Sequence, residues 1–177
     1  MFFVQKLVDG INCWEAEPNA AAGRTHGWAH HERYDVDADD AVVIRHDCEW
    51  RAEDGEPLLA DMRTITIDPP ADGGVLVRWD QQLTAVESRR RLGSETLHGH
   101  YSGLAVRFRR SMRNGRVLLP DAENPDEGRT PRSATGPEGT WCDYTGRLDG
   151  SALVDDPLTA GITLMAAPPA DGRWFTM

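Results

Sequence analysis

The stretch AVVIRHDCEWRAEDGEPLLADMRTITI (41–67) decides the fold class of this chain. Weakly polar or apolar side chains occupy alternate positions in its first half, namely Val42, Ile44, His46, Cys48 and Trp50. The positions between them hold Val43 and then three charged residues, Arg45, Asp47 and Glu49. Because successive side chains of a strand point to opposite faces, this period of two predicts a strand with one covered face and one wet face. The turn residues at 53–56 then lead into a second predicted strand over 58–67, which is rich in β-branched residues.

The neighbouring sequence continues the same pattern of strands and turns. The segment PPADGG (69–74) is a turn, and a third strand is expected over 75–86. Residues 41–86 are therefore predicted to form a three-stranded antiparallel meander. Near the start of the chain, Asp9-Gly10 separates two β-prone runs, which is a strong hairpin signal.

Shorter strand signals occupy much of the rest of the chain. Residues 28–34 are expected to form a short strand before an acidic turn at 35–40, and residues 102–112 alternate again before a turn at Asn114-Gly115. The polar stretch 120–139 reads as a long loop. Helical periodicity is almost absent, so these patterns indicate an all-β sandwich or barrel, organised as a single domain over residues 1–177.

The overall charge of the chain limits its partners. Its 177 residues include 29 acidic and 19 basic side chains, for a formal net charge of −10. Binding to nucleic acid or to an anionic membrane surface is disfavoured, and no apolar run approaches the ~20 residues that span a bilayer. The middle of the chain concentrates positive charge, either as a solvated strand face or as a patch for an anionic ligand, at Arg89, Arg90, Arg91, Arg107, Arg109, Arg110, Arg113 and Arg116.

Cysteine usage points to a reducing compartment. Cys13, Cys48 and Cys142 form an odd set without the spacing of a disulfide framework or a zinc site. The start of the chain, MFFVQKLVDG (1–10), has no signal-peptide pattern, so a cytoplasmic location is expected.

Histidines are the first candidates for chemistry. His98 and His100 share one strand face and suit two ligands of one metal ion, or they are polar residues beside a loop. Adjacent His30 and His31 point to opposite faces. His46 lies on the apolar face of its strand, where it is either satisfied by a backbone carbonyl or acts as a general base. Whether the protein uses a metal is left unknown, and no cofactor is clearly implied.

Several segments together resemble a family labelled "methane oxygenase PmoA", better described as a PmoA-like domain of unknown function. The segments are QKLVDGINCWE (5–15), LLADMRTITI (58–67), HYSGLAVRFRRSM (100–112), TWCDYTGRLDG (140–150) and AGITLMAAPPADGRWFTM (160–177). The resemblance implies an antiparallel β-sandwich of the mutarotase-like supersandwich type and a setting in sugar metabolism. Family members extend further at both ends, so the chain is expected to be an incomplete, truncated sandwich. Its exposed sheet edges would then favour self-association.

Candidate site residues follow from this setting. Acid–base chemistry on a sugar or keto-sugar would use His98 or His100 with Asp143 and Arg107, because such a reaction needs an acid and a base beside the ring. Trp79, Trp141 and Tyr144 are expected to contact the sugar, although tryptophans also fill sandwich cores. The alternative is a non-catalytic carbohydrate-binding or interaction module, and a metal-dependent oxygenase is the least favoured hypothesis. The sequence has no nucleophile elbow, P-loop or dinucleotide-binding glycine motif.

Overall fold

The computed structural model describes residues 1–14, 26–93, 102–108, 112–118, 141–148 and 158–167. Within these residues every regular element is a β-strand and all strand pairs are antiparallel, which confirms the predicted fold class. The strands are β1 (Phe2–Gln5), β2 (Leu7–Val8), β3 (Ile11–Asn12), β4 (Gly27–Ala38), β5 (Val42–Ala52), β6 (Pro57–Ile67), β7 (Val77–Ala85), β8 (Leu92–Gly93), β9 (Ser102–Ala105), β10 (Met112–Leu118), β11 (Trp141–Leu148) and β12 (Leu158–Met165). No helix long and apolar enough to cross a membrane occurs in this part of the chain.

The chain divides into two compact units, Met1–Ala105 and Val106–Met177. The first unit contains a four-stranded sheet in the order β4-β5-β6-β7, a three-stranded sheet β3-β2-β8 and the pair β1-β9. The second unit contains the sheet β10-β11-β12. That residues 1–177 fold as a single domain stays a prediction.

The predicted meander is confirmed and forms most of the four-stranded sheet. Strands β5, β6 and β7 pair in sequence order, with Trp50 opposite Leu59 and Ile65 opposite Trp79. The hairpin at Asp9-Gly10 is also confirmed, with φ of 50° and 86° at the two residues. Positive φ at both central residues is what a tight hairpin turn needs, and glycine adopts it without steric cost.

The core of the first unit lies where three sheets meet. Its buried members are Val8, Trp50, Ala52, Leu58 and Leu59, and Phe3, Ile11 and Cys13 pack against them. The ring of Phe3 meets Trp50 edge-on, with the ring centroids 6.4 Å apart. The members that the four-stranded sheet contributes all lie at one end of it, around the turn between β5 and β6.

Two sequence predictions about turns were wrong. Strand β4 continues through Asp35 to Ala38, where an acidic turn was expected, because its backbone pairs with β5 along this stretch, from Asp35 opposite Arg45 to Ala38 opposite Val42. Asn114 and Gly115 lie inside β10, where the pairing with β11 is irregular between Arg113 and Arg116. A bulge in the strand thus replaces the expected turn.

Strand β4 forms one edge of the four-stranded sheet among the described residues. Its pairing with β5 is shifted between His31 and Arg33, and several of its exposed side chains are charged. Bulges and charges both oppose the addition of a further strand at a sheet edge. Self-association through exposed edges stays a prediction, and this edge carries features that work against it.

Candidate functional site

The four-stranded sheet has two chemically different faces. We call the face that carries Arg45, Asp47 and Arg51 the charged face. Its exposed side chains form ion pairs across strands, such as Arg33 with Asp47 at 3.0 Å and Arg51 with Glu32 at 3.0 Å. Because these paired side chains are exposed, this face is the wet face that the sequence predicted. Exposed ion pairs contribute little to stability.

The opposite face is called the His46 face and carries an unusual row of side chains. Tyr34, His46, Arg63 and Gln81 lie directly opposite one another in turn across β4, β5, β6 and β7. With strands about 4.8 Å apart, one row of polar and aromatic groups crosses the whole sheet. The same face also holds Ile44 and Trp50, so the polar row lies among apolar side chains.

Asp61 lies beside this row on the same sheet face, two residues before Arg63 on β6. Its side chain is fully buried and its carboxylate accepts hydrogen bonds from Trp50 Nε1 at 2.9 Å and from Gln81 Nε2 at 2.8 Å. Arg63 donates to both carboxylate oxygens through Nε, at 3.0 and 3.1 Å, and also through a terminal nitrogen. With its oxygens engaged by three side chains, Asp61 holds those groups in place and is not itself open to a ligand.

Arg63 and Gln81 also define the surroundings of Trp79. The Arg63 guanidinium carbon lies 5.9 Å from the Trp79 ring centroid, within reach of a cation–π interaction. Trp79 Nε1 donates to Gln81 Oε1 at 3.2 Å. The indole is therefore fixed at its polar edge while its half-buried ring stays on the sheet face.

The histidines of the same face form a second, connected group. His31 Nδ1 and His46 Nε2 share a hydrogen bond of 2.7 Å, and Cys48 Sγ lies 3.2 Å from His46 Nε2. With Tyr34 and Ile44, the two imidazoles line a depression of about 330 Å³. His46 thus contacts other side chains, where the sequence favoured a hydrogen bond with a backbone carbonyl. His30 lies opposite Glu49 in the strand register, on the charged face, so His30 and His31 point to opposite faces as predicted.

Burial sets the protonation of this group. It lowers the pKa of His46, and the positive charge of Arg63 and the neighbouring His31 lower it further. Burial raises the pKa of the Cys48 thiol. At neutral pH the imidazole of His46 is therefore neutral and can accept a proton, while Cys48 is a thiol and a poor nucleophile.

The residues predicted from sequence fall in different places. His98 and His100 lie outside the described residues, so nothing bears on their proposed role. Trp79 is part of the His46 face of the first unit. Arg107, Trp141 and Tyr144 belong to the second unit, and their proposed contacts with a sugar stay predictions.

Strand β11 separates the second-unit candidates onto two sheet faces. Trp141 and Asp143 share one face, whereas Tyr144 points to the other. Asp143 accepts hydrogen bonds from the hydroxyls of Thr145 at 2.8 Å and Thr163 at 2.7 Å. The adjacency of these residues in sequence therefore does not bring all of them to one site.

Tyr144 packs within its own unit. Its ring centroid lies 4.3 Å from that of Phe108, and its hydroxyl end covers Gly115, where a Cβ would collide with the hydroxyl oxygen. The bulged strand β10 is thus shaped around this side chain. Arg107 is exposed beside Phe108.

Sequence reasoning missed the centre of the His46 face. Asp61 and Arg63 occupy the same alternate positions of β6 as Leu59 and Ile65, so two charged residues interrupt a run of covered side chains. That interruption was a readable signal. The partners Trp50 and Gln81 were not readable, because they depend on the strand register.

No group of three or more His, Cys, Asp or Glu side chains that could hold a metal ion occurs among the described residues.

The chain was compared with curated proteins, solved structures and protein-family models. No curated protein and no solved structure matches the chain. A family model does match, over residues 1–176, nearly the whole length. The chain therefore belongs to a family of unknown function, DUF6807.

Proposed function

We propose that this protein binds or acts on a sugar or keto-sugar at the His46 face of its four-stranded sheet. The observation that carries the proposal is the arrangement of Arg63 and Gln81, both held by the buried Asp61, beside the ring of Trp79. Beyond the N–H groups donated to Asp61, the Arg63 guanidinium has further N–H groups and the Gln81 amide has a second one, and these match the hydroxyl groups of a sugar. An aromatic face next to them suits the apolar C–H face of a pyranose ring.

The resemblance to the PmoA-like family supports the same class of ligand. It implies a mutarotase-like sandwich and a sugar-metabolism setting, and the antiparallel all-β fold agrees with that architecture. The oxygenase chemistry in the family label remains the least favoured function. A cytoplasmic location is part of the proposal and is supported by the three free cysteines.

His46 supports a catalytic version of the proposal. In acid–base chemistry at a sugar ring, a neutral base accepts the proton of the anomeric hydroxyl while an acid returns a proton to the ring oxygen. A lowered pKa keeps His46 in the basic form at neutral pH, and its hydrogen bond with His31 orients the ring. His98, His100, Asp143 and Arg107 stay predictions from the sequence, and the acid at the His46 face is not assigned.

A binding module without catalysis is the second candidate, and Asp61 favours it. This carboxylate is fully buried and engaged by three side chains, so it offers neither an acid nor a base to a ligand. The same groups would still recognise a sugar through Arg63, Gln81 and Trp79.

Titration with D-glucose, D-galactose and D-fructose tests the proposal by nuclear magnetic resonance. We expect a bound sugar to shift the indole N–H of Trp79 and the Nε–H of Arg63. Replacing Trp79→Leu should weaken binding about two- to tenfold, as expected for loss of one aromatic contact. Trp28→Leu is the matched control, because Trp28 is exposed on the charged face.

Polarimetry of freshly dissolved α-D-glucose separates catalysis from binding. If the protein accelerates mutarotation and His46→Gln abolishes the acceleration without abolishing binding, the enzyme interpretation holds. Binding with no acceleration supports the module. Absence of any saturable shift with all three sugars at about 100 mM would overturn the proposal altogether.

A further inference from the structure

A cleft of about 830 Å³ lies beside the β2–β3 hairpin, apart from the row of residues on the His46 face. It is lined by Asp9 and Gly10 of the hairpin turn and by Arg89, Arg90 and Arg91. Its volume is within the range of sites that hold a small metabolite and is too large for a bare ion alone.

The wall of arginines is fastened to the hairpin turn by the backbone. The amide of Asp9 donates to the carbonyl of Arg91 at 2.8 Å, and the amide of Arg91 donates to the Asp9 carboxylate at 2.7 Å. Two reciprocal hydrogen bonds therefore fix the segment that carries the arginines. The cleft is thus bounded by backbone that is held in place before any ligand binds.

Of the three arginines, Arg90 has a structural role. Its guanidinium pairs with Asp9 at 3.4 Å and Glu56 at 2.8 Å, donates to the Pro57 carbonyl at 3.0 Å, and is 11% exposed. Its Nε is buried and finds no hydrogen-bond partner among the described residues. Arg90 therefore pairs with both carboxylates, those of Asp9 and Glu56, while its own Nε–H has no partner among the described residues.

Arg89 and Arg91 differ from Arg90 in their exposure and in their lack of an acidic partner among the described residues. Both are exposed, and neither guanidinium forms an ion pair with a described residue. The three arginines thus outnumber the carboxylates of Asp9 and Glu56, in a chain whose formal net charge is −10. A positive cleft on an acidic protein concentrates anions from solution and excludes cations.

We propose that this cleft binds a small organic anion, recognised through a carboxylate or phosphate group by Arg89 and Arg91. Guanidinium forks match the planar carboxylate and the phosphate oxygens, and charge-assisted hydrogen bonds of this type are among the strongest in proteins. The rest of the molecule would occupy the space between Leu7 and the turn at Gly10. The inference does not depend on sugar binding at the His46 face.

Calorimetric titration with gluconate, glucose 6-phosphate and inorganic phosphate tests the site, with glucose as the uncharged comparison. We expect saturable binding of at least one organic anion, weaker binding of inorganic phosphate, and loss of affinity at high salt. Preference for gluconate or for glucose 6-phosphate identifies the anionic group. Binding of glucose with equal affinity would contradict recognition of an anion here.

The double variant Arg89→Gln/Arg91→Gln should weaken anion binding about tenfold or more, because it removes two charge-assisted donors. Arg33→Gln/Arg45→Gln is the matched control, since it removes the same charge from the exposed charged face. An equal loss in both double variants would show a general field effect and overturn the proposal.

A readout on the unmodified protein keeps the test decisive if a variant fails to fold. In the wild-type chain, titration with the same anions should shift the amide resonances of Gly10 and Gly93, which line the cleft. If neither amide moves at about 10 mM of any anion, no anion site exists there.

Discussion

Replacement of Asp61 by asparagine tests the arrangement on which the His46 face depends. The change keeps the size of the side chain and removes its charge. Asp61 is fully buried and accepts hydrogen bonds from Trp50, Arg63 and Gln81. An asparagine offers one acceptor oxygen and places an NH₂ group where a second acceptor was.

The expected cost follows from those contacts. Removing one partner of a buried ion pair costs about 3–5 kcal/mol, because the remaining charge is left without a counterion. The Arg63 side chain is 14% exposed, so it can recover part of its hydration, which favours the lower end of that range. We therefore expect Asp61→Asn to lower the free energy of unfolding by about 3 kcal/mol, a large share of the 5–15 kcal/mol typical of a domain.

Urea unfolding followed by tryptophan fluorescence and circular dichroism measures this cost. The matched control is Asp47→Asn on the adjacent strand, where the carboxylate is 38% exposed and its partner Arg33 is 79% exposed. That exposed pair should be worth no more than about 1 kcal/mol. If the two variants have the same stability within about 0.5 kcal/mol, the reasoning about a buried, charge-paired Asp61 is refuted.

Two further predictions concern pH and packing. Burial lowers the pKa of His46 in the folded protein below its ordinary 6.5. The stability that the neutral imidazole provides is therefore present above pH 6.5 and is lost as the pH falls through the lowered pKa. His46→Gln should reduce the loss of unfolding free energy between about pH 7 and pH 5, and an unchanged pH dependence would contradict this. A Cβ at Gly27 would lie 2.9 Å from the carbonyl oxygen of Arg51, so Gly27→Ala should cost about 1–3 kcal/mol in urea unfolding. Gly74→Ala, where the nearest atom would be 3.8 Å away, should be close to neutral, and equal costs at both glycines would disprove the close approach.

The strongest local patterns in the sequence predicted the fold correctly. Strand β5 could be placed, with its two faces, because a period of two with alternating charge is typical of a half-covered strand and does not fit the 3.6-residue period of a helix. The hairpin at Asp9-Gly10 was equally readable, since its residues suit positive φ. Both signals are local and do not depend on what packs against the segment.

Predictions failed where tertiary contacts override local preference. Aspartates favour turns, yet Asp35 and its neighbours extend β4 because the facing strand supplies Arg45 and a row of backbone partners. Asn-Gly favours a hairpin, yet Gly115 instead lies in a bulge beneath the ring of Tyr144. In each case the deciding groups lie on the strand that pairs with the segment.

The candidate site was only partly predictable for the same reason. Trp79 was identified as a candidate aromatic, but its neighbours Arg63 and Gln81 come from strand register and not from spacing. Trp141, Asp143 and Tyr144 are close in sequence and were all expected at the sugar site, while strand alternation divides them between two faces. Proximity in sequence is thus a weak guide to a site built across a sheet.

The energetics of the Asp61 network bear on the proposed function. A buried ion pair is poor support for stability in itself, because well-packed apolar residues of similar volume are often as stabilising or more so. The neighbouring positions on the same face already hold Leu59 and Ile65, so an apolar continuation would satisfy the fold. What Asp61 and Arg63 add is a fixed orientation of polar donors beside Trp79, together with an acceptor for the buried indole N–H of Trp50. The acceptor for Trp50 serves the fold, and the oriented donors are the part of the network on which our proposal of a polar ligand rests.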